Sequence, residues 1–466
     1  MSTATLPVVV IGAGPVGMAA AAHLAERGQA FLVVEAGAEV AQQVRSWGHV
    51  QLFSPWEYCV DGAAARLLSS QGWQTPDPSS YPNGHALIDQ YLAPLAAHPA
   101  IAPSLRFGLR VTAITRAGID KLSNRGRAEA PFVLHVVDAS GEEQQLFARA
   151  VIDASGTYAN PNPMGSSGLP ALGERALADQ IRYGIPDVLE RERERYAGKR
   201  VLVVGSGHSA FNALLELIAL AEQVPTTQIT WAVRKDREAL ARAYGGGSAD
   251  ALPARGELGM RLRNLVDQGV IELVTGWHTE RVRRSSDGII VSDGTRELSP
   301  VDQIIVTTGL RPDLQMLSEL RLGLDPVVEA PTALAPLIDP NFHSCGSVPP
   351  HGVDQLSHPE PGFYMIGMKS YGRAPTFLLL TGYEQARSVV AALAGDWEAA
   401  RDVQLVLPET GVCSGPLAAA GNLIAGGCCG PDQSCGAPAS QPSQANQIGL
   451  GLISLTPTET PRSGCC

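Results

Sequence analysis

Cysteine is almost missing from most of the chain: of 8 in 466 residues, only Cys59 and Cys345 fall within the first 400. No Cys-x-x-Cys or Cys-x-x-x-x-Cys occurs in that stretch, so neither a redox dithiol there nor a disulfide-stapled scaffold is expected. Aromatics amount to 5%, too few for base-stacking platforms. Positive charge is in deficit, 35 Lys and Arg against 46 Asp and Glu for a formal charge of −11, which argues against nucleic acid as a partner. No window approaches the roughly 18 uninterrupted apolar residues of a membrane span. The segment Met1 to Pro7 lacks the basic stretch of a secretory signal. The expectation is a cytoplasmic protein with reduced thiols, no membrane partner, and an oligomeric state that the sequence leaves open.

What the chain does have is apolar content and glycine. Hydrophobic residues are 45% and charged residues 17%, with mean hydropathy +0.03, so packed cores are expected rather than wholesale disorder. The length suggests roughly three domain-sized units at about 150 residues each. The 49 glycines and 34 prolines suit a fold with many tight turns between strands and helices, plus a loose segment.

The glycines fall into two corresponding patterns. Val8 to Ile11 reads as a strand, followed by Gly12-Ala13-Gly14-Pro15-Val16-Gly17, an alanine-rich helix to about Arg27, and a strand Phe31 to Val34 ending at Glu35. Strand, glycine turn, helix and strand with an acid at its tip is the arrangement that binds a dinucleotide. Gly12 makes the turn, Gly14 admits the pyrophosphate, Gly17 lets helix and strand pack, and the helix amino end, opened by Pro15, faces the phosphates. Glu35 would accept hydrogen bonds from a ribose and repel a 2′-phosphate, which suits FAD or NAD.

The second pattern opens at Lys199. A strand Val201 to Val204 leads into Gly205-Ser206-Gly207-His208-Ser209-Ala210, then a helix to about Gln223 and a strand Gln228 to Val233. Ala210 stands in for the last glycine and is still small. The second strand ends in Arg234-Lys235 rather than an acid, so cations could pair with a 2′-phosphate and NADPH is the natural reading. Two such sites in one chain imply hydride transfer from a nicotinamide to a flavin.

Further along, Asp153-Ala154-Ser155-Gly156 looks like a strand ending in a glycine turn. Gly198 to Val201 leads into the second glycine motif, Thr307-Thr308-Gly309-Leu310-Arg311-Pro312-Asp313 closes the second unit, and Gly362-Phe363-Tyr364-Met365-Ile366-Gly367 ends another strand. With both glycine motifs, these segments resemble the class B flavoprotein monooxygenases and their relatives among two-dinucleotide-binding flavoproteins, over about residues 7 to 395.

The resemblance implies an α/β fold of two Rossmann-like domains, with a discontinuous FAD-binding domain (1–160 and 330–395) around an NADPH-binding domain (196–325). A flexible cysteine-containing extension (396–466) follows. It further implies that Gly367 approaches the flavin ribityl and ring, that Thr308 and Gly309 lie where the domains meet, and that Trp47 stands beside the flavin, with Gln51 to Pro55 lining the same face. One departure bears on monooxygenation. The family's Phe-x-Gly-x-x-x-His stretch is replaced by Gln180-Ile181-Arg182-Tyr183-Gly184-Ile185-Pro186-Asp187, without the histidine.

Several residues lie outside the glycine motifs. His343, Cys345 and His351 fall in a polar stretch and could line a substrate pocket or bind a soft ion, while Lys369, Tyr371 and Arg373 could hold an anionic substrate or the flavin phosphate. Cys428-Cys429 and Cys465-Cys466 are adjacent pairs, ill-suited to disulfides with each other but able to offer thiolates jointly to a thiophilic metal or metalloid. Such tails resemble those of mercuric reductases, and similar flavoproteins are encoded beside arsenic resistance genes.

The leading expectation is an FAD- and NADPH-dependent monooxygenase using O2 on a small molecule with a soft nucleophilic atom: sulfur, nitrogen or trivalent arsenic. Two others stand beside it. One is an NADPH-dependent reductase passing electrons to tail thiols or a thiol-bound metal(loid), and the other a thiophilic metal(loid)-binding protein.

Overall fold

Four apolar residues in a row, Val8–Ile11 (β1), suit a strand covered on both faces, and all four are buried. The computed structural model, which describes residues 6–245, 253–342, 348–375 and 377–405, places β1 at the centre of a parallel sheet. Phe31–Val34 (β2) lies on one side, followed by Leu105–Arg106 (β3); Ala150–Asp153 (β7) lies on the other, followed by Phe363–Met365 (β15). The sheet therefore joins strands from both ends of the chain. The helix Pro15–Glu26 starts with proline at its first turn and is buried from Val16 to Leu24. Its run of alanines admits the sheet on one side and the helix Leu379–Leu393 on the other.

Between β3 and β15 the chain makes two excursions. The first is an antiparallel meander of Leu109–Arg116 (β4), Phe132–Asp138 (β5) and Glu143–Ala148 (β6). A buried ion cluster fastens it to the segment before β15: Glu360, 1% exposed, accepts from Arg116 at 2.8 Å and from Arg127 at 2.7 Å. The Arg116 guanidinium also lies 3.6 Å from the Phe132 ring centroid.

The second excursion builds a second parallel sheet. Arg200–Val204 (β9) is flanked by Gln228–Ala232 (β10), then Glu272–Val274 (β11), and on its other side by Gln303–Val306 (β14), then Ile181–Tyr183 (β8). A hairpin of Arg281–Ser285 (β12) and Gly288–Ser292 (β13) packs beside it. The sheet thus begins before residue 196, because the stretch read as a departure from the family pattern supplies an edge strand. The segment expected as one helix over Ala86 to His98 is helical but interrupted by a π-type turn at Ile88–Leu92. Past residue 395 the helix Trp397–Arg401 packs back on Leu379–Leu393, capped by Asp396. These elements all belong to one compact unit, Met1–Ala419; the other, Ala420–Cys466, lies outside the described residues.

Candidate active site

Both glycine turns sit at carboxyl ends of their sheets, where dinucleotides bind in open α/β folds. Gly12 has φ +97°, and a Cβ there would stand 2.8 Å from the Ala154 carbonyl oxygen. A Cβ on Gly17 would fall 2.0 Å from the Gly12 carbonyl, so turn and helix touch through glycine alone. Gly14, by contrast, faces open space, the cradle that a pyrophosphate needs. Glu35 closes the turn from the tip of β2: its carboxylate accepts from Ala13 N–H and Gly37 N–H, each at 2.7 Å. Two backbone donors leave further lone pairs for ribose hydroxyls, so these residues fit the adenosine half of FAD.

The flavin half would continue past the tips of β7 and β15. Gly156 (φ +70°) faces open space. Gly367 (φ +70°) lies so close to Val16 that a Cβ would be 3.3 Å from that side chain. Its N–H donates to Gln385 Oε1 at 2.7 Å, and Gln385 in turn meets His351 Nε2 at 2.9 Å. His351 Nδ1 lies 3.1 Å from the Pro349 carbonyl. With both ring nitrogens engaged and its pKa lowered, chiefly by burial, His351 orients the Gly367 turn and is not an open ligand.

Lys369 is placed differently from a lysine that holds a substrate anion. It is 1% exposed, with Nζ 2.6 Å from Asp153 Oδ2, and it donates to Ser155 Oγ at 3.0 Å. It ties the tip of β15 to the tip of β7 beneath the glycine turn. Arg373 is half exposed and pairs with Glu329 at 3.0 Å. Trp47 is partly buried, its ring 6.4 Å from that of Tyr158 and packed against Gly84. His343, Cys345, Cys428, Cys429, Cys465 and Cys466 lie outside the described residues. Among the described residues no cluster of His, Cys, Asp and Glu could hold a metal. Cys59 is fully buried, and burial pushes its thiol up to about 12, which keeps it protonated and inert.

The second turn repeats the geometry of the first. Gly205 has φ +132°, a Cβ there would stand 2.5 Å from the Thr307 carbonyl oxygen, and its own carbonyl accepts from Trp231 Nε1 at 2.7 Å. Gly207 faces open space, and Ala210, where the third glycine would be, is fully buried against the sheet. His208 and Ser209 open the helix His208–Gln223. Arg234 is exposed just past β10 and donates to the Ser166 carbonyl at 3.1 Å, with Lys235 next to it, also exposed. Open glycine turn and exposed cations fit a phosphorylated dinucleotide.

Four contacts join the two sites. Thr308 Oγ1 donates to the Asn162 carbonyl at 2.8 Å, and Asn162 N–H donates to the Gly309 carbonyl at 2.9 Å, closing the two chain crossings on each other. Phe53 meets the His208 ring at 5.2 Å, edge to face. His49 Nε2 lies 3.4 Å from Glu216 Oε1. Burial raises the Glu216 carboxyl to about 7 and lowers the His49 pKa.

Sequence reasoning missed a cavity of about 790 Å³ at these crossings, lined among others by Asn160, Glu174, Arg175, Tyr183, Arg311 and Arg373. The available signal was proline: Pro161, Pro163, Pro170 and Pro312 all line it, giving rigid walls from segments far apart in the chain.

Comparison with known proteins agrees with this geometry. Residues 134–330 match the family model described as pyridine nucleotide-disulphide oxidoreductase, and residues 7–75 match that described as FAD dependent oxidoreductase. The indole-3-pyruvate monooxygenase YUCCA8 of Oryza sativa subsp. indica is 30% identical over 214 residues, 45% of this chain and 44% of that protein. The chain therefore spans less than half the length of that relative. A ferredoxin–NADP reductase of Salinispora tropica is 27% identical over 68% of this chain and 78% of its own. The bacillithiol disulfide reductase Bdr (YpdA) of Bacillus cereus shares the fold, with TM-score 0.62 and 18% identity over 84% of this chain and 99% of that one.

Proposed function

Since the chain belongs to the class B flavoprotein monooxygenase-like family, flavoproteins with two dinucleotide-binding domains, we propose that it is an NADPH- and FAD-dependent monooxygenase acting on a soft nucleophile. The observation that carries the reading is the pair of open glycine turns, Gly12–Gly17 with Glu35 and Gly205–Ala210 with Arg234, joined through Thr308, Gly309 and Asn162. When bound, FAD accepts hydride from the nicotinamide and activates dioxygen.

The chain's own residues do the rest. Gly14 and Gly207 leave room for the pyrophosphates, and the helix amino ends supply their dipoles and free N–H groups. Glu35 holds the first turn closed and receives a ribose. Arg234 and Lys235 select the 2′-phosphate. Gln385 and His351 fix the Gly367 turn, and the Lys369–Asp153 pair locks the tips of β15 and β7, so that the flavin ring is presented in one orientation. Trp47 covers the same side and helps exclude water. No acid–base triad is needed, since positioning and exclusion of water supply the catalysis. A site of this kind takes sulfur, nitrogen or trivalent arsenic as the oxygen acceptor, the last tying the chain to arsenic resistance.

Similarity to a ferredoxin–NADP reductase over most of that protein's length supports a second reading, an NADPH-driven reductase with an external electron acceptor. Single turnover with ¹⁸O2 separates the two. On the first reading the label enters the product, one atom per NADPH consumed. Product formation that proceeds at full rate without oxygen would establish the second.

A further inference from the structure

The 790 Å³ cavity falls within the size range of small-molecule sites and lies where such sites concentrate, between two sheets. Its walls come from Asn160–Pro163, which leaves the first sheet, from Arg311–Gln315, which returns from the second, and from Arg373, on the segment that leaves the Gly367 turn. That last segment brings it beside the flavin region of the first site. Nothing in the dinucleotide reading uses it.

The polar atoms of the cavity are unevenly committed. The Glu174 carboxylate is 3% exposed and already satisfied: Met164 N–H donates at 2.9 Å, Ala171 N–H at 2.6 Å, and the Tyr183 hydroxyl donates as well. Glu329 is paired with Arg373. Asp313 Oδ1 accepts from the Gln315 N–H of its own turn at 3.0 Å. Arg311 builds the wall, donating from Nε to Asn162 Oδ1 at 2.9 Å and from Nη2 to the Gly168 carbonyl at 3.1 Å. Arg175 has no hydrogen-bond or ion-pair partner among the described residues. Since a guanidinium carries five N–H donors and no acceptor, the cavity as a whole keeps unused donors, while most of its acid oxygens are taken. Between them the wall is apolar, formed by prolines and by Leu169 and Leu314, with Leu169 68% exposed at the rim.

We propose that this cavity is the substrate site, and that the substrate is an organic soft nucleophile with an apolar body and a carboxylate, the carboxylate held by Arg175 with help from Arg373. This rests on the monooxygenase reading and narrows it to organic thioethers and comparable donors, away from neutral or cationic ones. For a thioether the sulfur lone pair takes one oxygen atom of O2. The other leaves as water with the hydride of NADPH and one proton, giving sulfoxide, water and NADP⁺.

The test is binding, measured by calorimetry on the oxidised holoenzyme without NADPH, using (phenylthio)acetate, neutral thioanisole and cationic 2-(phenylthio)ethylamine as probes. The expected result is (phenylthio)acetate binding about tenfold tighter than thioanisole, the scale of one charge-assisted hydrogen bond. Arg175→Gln removes that margin and Arg175→Lys keeps part of it. Leu169→Ala, which removes apolar surface at the rim, weakens all three probes. Equal binding of acid and neutral probe, tighter binding of the amine, or no response to Arg175→Gln would overturn the assignment. Bleaching of the flavin by NADPH in the same preparation keeps the two readings apart. If the flavin bleaches and the acid shows no advantage, the cavity assignment fails alone. If the flavin does not bleach but the Arg175-dependent margin is present, the anion site stands and the redox reading falls.

Discussion

At the scale of single residues, backbone geometry decides more than side-chain chemistry. Gly12 combines a positive φ with a Cβ position 2.8 Å from a carbonyl oxygen, so Gly12→Ala both strains the turn and pushes it off β7. The purified variant should carry FAD at less than a tenth of the wild-type ratio, read from flavin absorbance against protein. Lys369 makes a different prediction. Lys369→Met leaves the Asp153 carboxylate buried without its cation, a change of about 3–5 kcal/mol, visible as a large fall in thermal unfolding temperature. Adding Asp153→Asn should restore much of the loss, since the neutral pair no longer strands a charge. Gly12, Gly17 and Gly205 were legible in the sequence because only glycine tolerates those positions. The partnership of Lys369 was not, because Asp153 lies more than 200 positions earlier and no local pattern records which lysine is buried.

At the scale of elements, the contact between the loop after β2 and the helix His208–Gln223 carries a titrating group. Glu216 holds its proton up to about pH 7, chiefly because burial disfavours the carboxylate, with Asp187 and Glu190 adding repulsion. In the unfolded chain it releases the proton near pH 4.3. Folding therefore takes up a proton between these values, and the Glu216 contribution is full below about pH 4.3 and lost as pH rises through 7. Glu216→Gln should flatten the fall in unfolding temperature over that window and leave the variant the more stable form above pH 7. A wild-type slope persisting in the variant would place the titration elsewhere. His49, depressed by burial, gives the opposite slope below pH 6.5, so the Glu216 contribution is read above that pH.

Element types were legible where apolar runs or glycine turns repeat, as in β1, β2, β9 and β10. β8, with three residues, is too short to show periodicity, and its sequence shows only the absence of the family motif. The π-type turn at Ile88–Leu92 leaves no mark in the hydrophobic pattern either.

At the scale of the whole molecule, the fold brings two dinucleotide sites to one seam and leaves an open cavity beside it. Sequence pattern was enough to see both sites, since each is a local strand–turn–helix unit. The cavity was invisible to it, because its walls come from positions 160 to 178, 183, 311 to 315, 329 and 373, and only the tertiary fold assembles them. In the proposed function the two sites act as one redox unit, with NADPH at the second turn reducing FAD at the first. Anaerobic titration of the purified holoenzyme with NADPH, followed by flavin absorbance, tests this most directly. Stoichiometric bleaching, one NADPH per flavin and faster than with NADH, is the predicted result; a flavin that stays oxidised in excess NADPH would contradict the claim.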